Sequence, residues 1–182
     1  MFESRINMEN RNLLIVGAGS YSVVVSEIAS EMNYYEKIDF LDDSKEVADN
    51  GQNVIGSIEE LHTFENEYSD VVVAIGNPTI RLNLLDRIEK NLQYEIATIV
   101  SNRAYISSSA KIEKGSVIEP MTVIHSGSLI SRGCIISAGA VVNHFSMCCE
   151  GVHVDCNATV ESECVVPAGT KVCSNEVFKR TV

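Results

Sequence analysis

The sequence has no apolar run long enough to cross a bilayer. Its longest, Leu13 to Val25, is interrupted by Gly17, Gly19, Ser20 and Ser22 and falls short of the roughly 20 apolar residues that a span requires. A basic segment followed by an apolar one is also missing at the N-terminus, where Met1 to Asn10 is mostly polar, so no secretory signal and a cytoplasmic location are expected. Basic side chains are scarce: 14 Lys and Arg stand against 25 Asp and Glu, a net charge of -11. That balance repels nucleic acid and anionic membranes and excludes both as partners. Six cysteines (Cys134, Cys148, Cys149, Cys156, Cys164, Cys173) contain no CxxC pair, which argues against a zinc ribbon or a thioredoxin-type site. They are read as reduced structural thiols, and no metal is expected. With no polar low-complexity tract and 45% hydrophobic residues, the chain belongs among folded proteins.

What is present is unevenly distributed. A chain of 182 residues suits one ordinary domain or two small ones. Residues 1–98 hold 7 basic and 18 acidic side chains and residues 99–182 hold 7 of each. This step in charge places a domain boundary at residue 98.

The second half repeats. Counting from Val100 in steps of six reaches Val100, Ile106, Ile112, Ile118, Ile124, Ile130, Ile136, Val142, Cys148, Val154, Val160, Val166 and Val172. Twelve of these 13 positions are aliphatic, where random placement of the 19 Val, Ile and Leu residues between 100 and 172 would fill roughly 3. The side chain four residues after each start is small at all but Val152, and glycine recurs one position earlier, at 115, 127, 133, 139, 151 and 169. A period of six with an aliphatic, a small residue and a turn glycine is the signature of a parallel β-helix. Residues just before the repeat starts, such as Val117, Val123, Leu129, Ile135, Val141 and Val165, then point outward. Outward apolar columns need covering, and other subunits are the expected cover.

The first half alternates strand and helix signals, the pattern of a small Rossmann-like α/β unit. Strands are predicted over 12–16, 37–41 and 71–75, and helices over about 22–32 and 79–91. Gly17-Ala18-Gly19-Ser20 follows the first strand, where backbone N–H groups and a helix N-terminus can hold a phosphate. The third glycine of a dinucleotide fingerprint is replaced by Ser22, so a simple tight connection is the competing reading. Asp39, Asp42 and Asp43 follow the second strand, where an acidic group accepts hydrogen bonds from a ribose or base; a solvated turn is the alternative.

Taken together, Gly17-Ala18-Gly19, Phe40-Leu41-Asp42-Asp43, Val54-Ile55-Gly56, Val71 to Asn77 with Arg81, and hexapeptide repeats running through Asn143-His144 resemble the sugar O- and N-acyltransferases of bacterial surface-glycan synthesis. That family includes sialic acid O-acetyltransferases and N-acetyltransferases for nucleotide-linked 4-amino sugars. The resemblance implies a left-handed β-helix of about four coils. It also implies a homotrimer, acetyl-CoA as co-substrate in the groove between subunits, and a nucleotide sugar on the Rossmann-like unit around Gly17, Ala18, Gly19, Ser20, Asp42, Asp43, Gly76 and Asn77. His144 stands in the position of the family's base, whose task is to remove a proton from the attacking amine or hydroxyl. His153 matches a second histidine near the acetyl group. Backbone N–H groups at turns such as Gly139 or Gly151 are candidates to hold an oxyanion.

This sequence departs from the family at Phe145, where Asp or Glu usually orients the base; Glu150, Asp155 or a neighbouring chain are the candidates to replace it. His125 and His62 are read as ordinary turn and helix residues. The rival reading is a non-catalytic nucleotide-sugar-binding or scaffolding trimer that has lost CoA binding, motivated by Phe145 and by the 38 residues that follow His144. A dinucleotide-dependent oxidoreductase lacks a catalytic domain beyond the Rossmann-like unit.

Overall fold

Four consecutive apolar residues, Leu13 to Val16, suit a strand covered on both faces, and all four are fully buried in β1 (Asn12–Val16). The computed structural model describes residues 11–180; the polar stretch Met1–Asn10, read above as free of a signal segment, lies outside the described residues. β1 is central in a parallel sheet with β2 (Lys37–Leu41), β3 (Val54–Gly56), β4 (Asp70–Val73) and β5 (Glu95–Ile96), in the order β3-β2-β1-β4-β5. Alternation along β1 divides the core. Leu13 and Ile15 pack with Val25, Ile28 and Ala29 of α1 (Ser20–Glu31), while Leu14 and Val16 share the opposite core with Leu85 and Ile88 of α2 (Pro78–Asn91).

α1 begins two residues earlier than the apolar pattern predicts, because Gly19 is its N-cap. α2 begins at Pro78, whose fixed φ suits a first helical position, and the Asn77 side chain accepts the Ile80 N–H at 3.1 Å. β3 was not anticipated as a strand. It is three residues long and sits at the sheet edge, too short to carry a period.

From Ile99 onward the described residues form fourteen two-residue strands six positions apart, ending at Val177–Phe178. They stack into three parallel sheets that make the faces of a triangular prism. One face carries Ile99–Val100, Val117–Ile118, Ile135–Ile136, His153–Val154 and Lys171–Val172; a second runs from Tyr105–Ile106 to Val177–Phe178; a third runs from Lys111–Ile112 to Val165–Val166. The second residue of each strand points inward, and Ile118, Ile124, Ile130, Ile136, Val142, Val154, Val160 and Val166 are all fully buried. Cys148 fills one aliphatic slot, where burial pushes its thiol pKa up. The repeat continues one step past Val172, because Phe178 takes the next inward position.

The turns account for the recurring glycines. φ is positive at every sixth residue from Gly115 to Asn175, a conformation that costs an L-residue about 1 kcal/mol or more. Glycine occupies six of these positions and asparagine, which tolerates the region, two more; Met121, Phe145 and Glu163 hold the rest.

The α/β unit lies on the first face of the prism. Val117 and Ile135 are therefore covered by their own chain, Val117 within the core that includes α1, and not by another subunit as expected from sequence. Val123, Val141, Leu129 and Met147, on the other two faces, are half-buried, and Val165 is 61% exposed. The joint is made by Arg81, which is only 1% exposed and has no carboxylate partner among the described residues. Its Nε donates to the Gly133 carbonyl (2.7 Å) and its Nη2 to that of Gly151 (2.9 Å), while its Nη1 reaches the carbonyls of Ile75 (2.7 Å) and Gly76 (2.8 Å). Leu82 and Leu85 sit against the same turns, where a Cβ at Gly133 would come within 2.8 Å of Leu85. Acidic residues of the α/β unit meet bases of the prism around this joint. Asp86 pairs with Arg132 (2.6 Å), Glu89 with Arg132 and Lys114, and Glu31 with Arg103 (3.1 Å).

Arg81→Met would leave four carbonyls without their donor and is expected to cost roughly 3 kcal/mol or more, read as the loss in urea unfolding free energy. Ile136→Ala is expected to cost about 3 kcal/mol through the cavity it opens. Val165→Ala, on the surface, is expected to stay within about 0.5 kcal/mol of the wild type.

Candidate active site

Two regions carry the residues singled out from sequence. The first is at the carboxyl ends of β1, β2 and β4, where Gly17, Ala18, Gly19, Ser20, Asp42, Asp43, Gly76 and Asn77 converge. The strand order reverses between β1 and β4, so this is the crevice in which open α/β sheets bind ligands. Gly17 has φ +106°, and a Cβ there would meet the Ala74 carbonyl oxygen at 3.1 Å, so the loop requires glycine. Its N–H donates to the Leu41 carbonyl (2.8 Å). Past this pin, the amides of Gly19, Ser20 and Tyr21 have no acceptor among the described residues. They open the twelve-residue α1, whose N-terminus favours negative charge. Ser22, which replaces the third fingerprint glycine, is buried and donates to the Gly19 carbonyl (2.7 Å).

Asp42 braces this loop. Oδ2 accepts the Ala18 N–H (2.8 Å), and Oδ1 accepts the Ser44 N–H and hydroxyl (2.8 Å each). Burial works to raise its pKa, but the hydrogen bonds from Ser44 and Ala18 outweigh it and hold the carboxylate below the ordinary value. Asp43 accepts the Ile58 N–H (2.8 Å), its other oxygen has no partner among the described residues, and an open pocket of about 420 Å³ lies beside both residues, bordered by Lys45, Val54 and Gly56. Asn77 and Gly76 flank the crevice on the β4 side and are exposed. The Gly76 carbonyl is held by Arg81.

The second region is the β-helix, and here the two histidines separate. His144 is exposed on the turn between Val141–Val142 and Met147–Cys148, the prism edge opposite the face that carries the α/β unit. Its imidazole has no hydrogen-bond partner among the described residues. Its ring stands edge-on to Phe145 (centroids 5.7 Å, planes at 87°). Phe145 has φ +55° and is 66% exposed, and its ring lies over Gly127, where a Cβ would come within 2.4 Å of it. The carboxylates considered as substitutes for the usual acidic partner are elsewhere in this chain: Glu150 pairs with Arg132 (3.4 Å) and Asp155 with Lys171 (2.8 Å). His125 sits higher on the same edge, against the Tyr105 ring at 6.4 Å, and His62 lies on the 3-10 turn Ile58–Thr63.

His153 is on the prism face that the α/β unit covers, so one chain does not bring it to His144. Nε2 is 3.0 Å from Ser137 Oγ and 3.9 Å from Asp155 Oδ1, and burial is the main cause of its lowered pKa. Asp155 is drawn down to about 2, chiefly by its hydrogen bond from Lys171. Gly139 and Gly151 do not offer the free N–H groups expected of them. The Gly139 N–H donates to the Pro120 carbonyl (3.2 Å) and the Gly151 N–H to that of Arg132 (3.0 Å), because the N–H at such turns is spent on holding successive coils together.

Sequence reasoning missed a polar group at the seam between the α/β unit and the prism. Glu119 accepts the Ala138 N–H (3.0 Å), burial raises its pKa, and its charge adds to the burial that raises the pKa of Tyr21 of α1. The Tyr21 hydroxyl is buried with no partner among the described residues. The signal was the 18-residue spacing of Glu119, Ser137 and Asp155, which stacks them on successive coils.

Residues 12–88 match the family model described as the PglD N-terminal domain. The chain is similar to the acetyltransferase domain of PglB from Neisseria gonorrhoeae FA1090, solved in complex with acetyl coenzyme A. Identity is 29% over 93% of this chain and 88% of that one, with a TM-score of 0.76. The GDP-perosamine N-acetyl transferase of Caulobacter crescentus, solved with CoA and GDP-perosamine, shares the fold at 23% identity over 93% and 89% of the two chains, TM-score 0.80. WeeI from Acinetobacter baumannii AYE shares it at 19% identity over 95% and 93%, TM-score 0.61. A search of curated proteins by sequence returns no match.

Asp42→Ala is expected to cost about 1–2 kcal/mol at neutral pH by releasing the amides of Ala18 and Ser44. Because the folded pKa lies below the unfolded one, this contribution is present above the unfolded value near 3.8 and disappears as the pH falls through the folded value. The gap in unfolding free energy between wild type and variant should therefore narrow on acidification.

Proposed function

We propose, for a chain that belongs to the nucleotide-amino-sugar acetyltransferase family, that it transfers the acetyl group of acetyl-CoA to an amino group of a nucleotide-linked sugar. The observation that carries this reading is the shared arrangement of α/β unit and β-helix, over 93% of the chain, with a domain solved in complex with acetyl coenzyme A. In this reading residues 1–98 form the nucleotide-sugar domain and residues 99–182 the acyltransferase domain.

The Gly19, Ser20 and Tyr21 amides at the head of α1 hold the diphosphate. The open oxygen of Asp43 and the pocket beside it take the nucleoside, with Gly17, Ala18 and Asp42 fixing the loop and Gly76 and Asn77 bordering the sugar. Acetyl-CoA supplies a thioester whose carbonyl carbon is the electrophile. The outward row Leu129, Met147 and Val165 gives its pantetheine arm an apolar track, a fit of chemistry between the residues present and the group. His144, whose imidazole has no hydrogen-bond partner among the described residues, takes a proton from the amine as the new C–N bond forms. The C–S bond then breaks, and the departing thiolate can take that proton from the imidazolium.

Within one chain His144 is on the opposite side of the prism from the α/β unit. A homotrimer resolves this, with His144 of one copy serving the crevice of another and the half-buried Val123 and Val141 covered at the contacts. Phe145 orients the base by its ring edge and supplies no charge, so it does not support the imidazolium as a carboxylate would.

Calorimetric titration with acetyl-CoA is expected to show about one site per chain with a micromolar dissociation constant. His144→Ala should keep that site and lose transfer by roughly a hundredfold or more. Absence of binding up to millimolar acetyl-CoA would leave a nucleotide-sugar-binding trimer as the better account. Light scattering should give three times the chain mass of 19.9 kDa.

A further inference from the structure

The outward column that holds His153 changes character along the first face of the prism. Val117 and Ile135 are buried, His153 on the next coil is partly covered, and the Lys171 side chain one coil further is 54% exposed. Strands of adjacent coils lie about 4.8 Å apart, so a charged His153 would face the Lys171 ammonium, and like charges placed opposite each other repel. Asp155 is beside both, and its oxygens are engaged by other groups. Oδ2 pairs with Lys171 Nζ at 2.8 Å, and Oδ1 accepts the Cys156 N–H at 2.8 Å. Oδ1 stops 3.9 Å from His153 Nε2, too far for a hydrogen bond, whereas Ser137 Oγ is 3.0 Å from that nitrogen. On the α2 side the nearby charge is Arg81, whose Nη2 holds the Gly151 carbonyl two residues before His153. Glu119 is on the turn above Ser137, where it accepts the Ala138 N–H, and the exposed Cys156 and Cys173 follow Asp155 on the same prism edge.

We propose that Lys171 is a positioning residue for His153: it holds the Asp155 carboxylate away from the ring, which leaves the imidazole neutral and its Nε2 to Ser137. A carboxylate released from Lys171 has one oxygen free and needs to move only about 1 Å to reach Nε2. There it would favour the imidazolium, which donates from both nitrogens and keeps no lone pair. The ionisation of the three groups agrees with this arrangement. Asp155 is drawn down to about 2, chiefly by its hydrogen bond from Lys171, and so is charged throughout the neutral range. Burial is the main cause of the lowered His153 pKa, with the Lys171 and Arg81 charges acting in the same direction and Asp155 against them. The Lys171 and Asp155 charges then cancel, and His153 adds none. The consequence for catalysis rests on the transfer reaction proposed above. An amino acceptor arrives largely as an ammonium, which an imidazolium at His153 would repel and a neutral imidazole does not. Lys171 touches no reacting group in this scheme and acts through Asp155.

The test is a pH titration of the His153 ring by NMR in the full-length protein, with His153→Gln used to assign its signals. The wild type should titrate below an ordinary histidine. Lys171→Met should move the titration upward, and Lys171→Arg, which keeps the pairing with Asp155, should leave it at the wild-type position. Lys171→Gln gives a second reading of the same loss should the methionine variant fail to fold. The decisive comparison repeats Lys171→Met in an Asp155→Asn background. With no carboxylate to release, the upward movement should vanish or become much smaller there. An equal movement in both backgrounds would mean that Lys171 acts by its own charge alone, and would overturn the proposal, as would a Lys171→Met titration that matches the wild type. Where transfer is measurable, the acid limb of the kcat/KM profile of Lys171→Met should lie at higher pH, so that its activity at pH 6 relative to pH 8 falls severalfold below the wild-type ratio. A wild type that transfers no acetyl group would defeat the proposed function, and the ring titration would still decide the role of Lys171.

Discussion

A single buried guanidinium holds the two halves of this protein in one arrangement. Arg81 spans from the loop after β4 to two successive turns of the prism, and every acceptor it uses is a backbone carbonyl. The coil turns repeat at fixed spacing along the prism, and the planar fork of Arg81 takes the Gly133 and Gly151 pair while its other nitrogen is held by the Ile75 and Gly76 carbonyls. Burial lowers the Arg81 pKa, the expected cost of a cation with no counter-ion among the described residues. Its position in the first half of α2 links Gly76, at the border of the crevice, to Gly133 and Gly151 of the β-helix. The placement of the crevice relative to His153 and Glu119 follows from that bridge.

Much of the fold was legible in the sequence because the inside of a triangular prism admits one side chain per six residues. Ile118, Ile136 and Val154 are buried for the same reason that they recur. Phe178 escaped because the period was followed through aliphatic residues, although its ring occupies the same inward slot. The outward residues were legible only in direction: Val117 and Ile135 needed a cover, and nothing in their spacing said that the chain's own α/β unit supplies it. β3 escaped because three residues at a sheet edge have no room for a pattern.

The arrangement of the candidate residues was not legible in their spacing. His144 and His153 are nine residues apart, half of an 18-residue coil, and that spacing alone carries them to opposite sides of the prism. Gly139 and Gly151 satisfied the requirement for turn glycines and so looked available, but the same turns spend their N–H groups on the neighbouring coil. Asp42 and Asp43 follow β2, and one oxygen or more of each is used within the chain. The charge step at residue 98 has a local counterpart as well. Glu31, Asp86 and Glu89 of the acidic half meet Arg103, Lys114 and Arg132 of the neutral half, so part of the imbalance is consumed at the seam. Exposed pairs of this kind contribute little individually, and the fixed geometry comes from the buried bridge.

The Phe145 ring over Gly127 also constrains how this edge of the prism can change over evolutionary time. A side chain gained at 127 would collide with the ring, so that position is confined to glycine for as long as an aromatic stands one coil below. A lineage that replaced Phe145 with a small or acidic residue would remove the collision and leave at 127 only the cost of a positive φ, which Met121 and Glu163 bear at equivalent turns. The two positions form an ordered pair of substitutions, with the route open through 145 first and closed through 127 first.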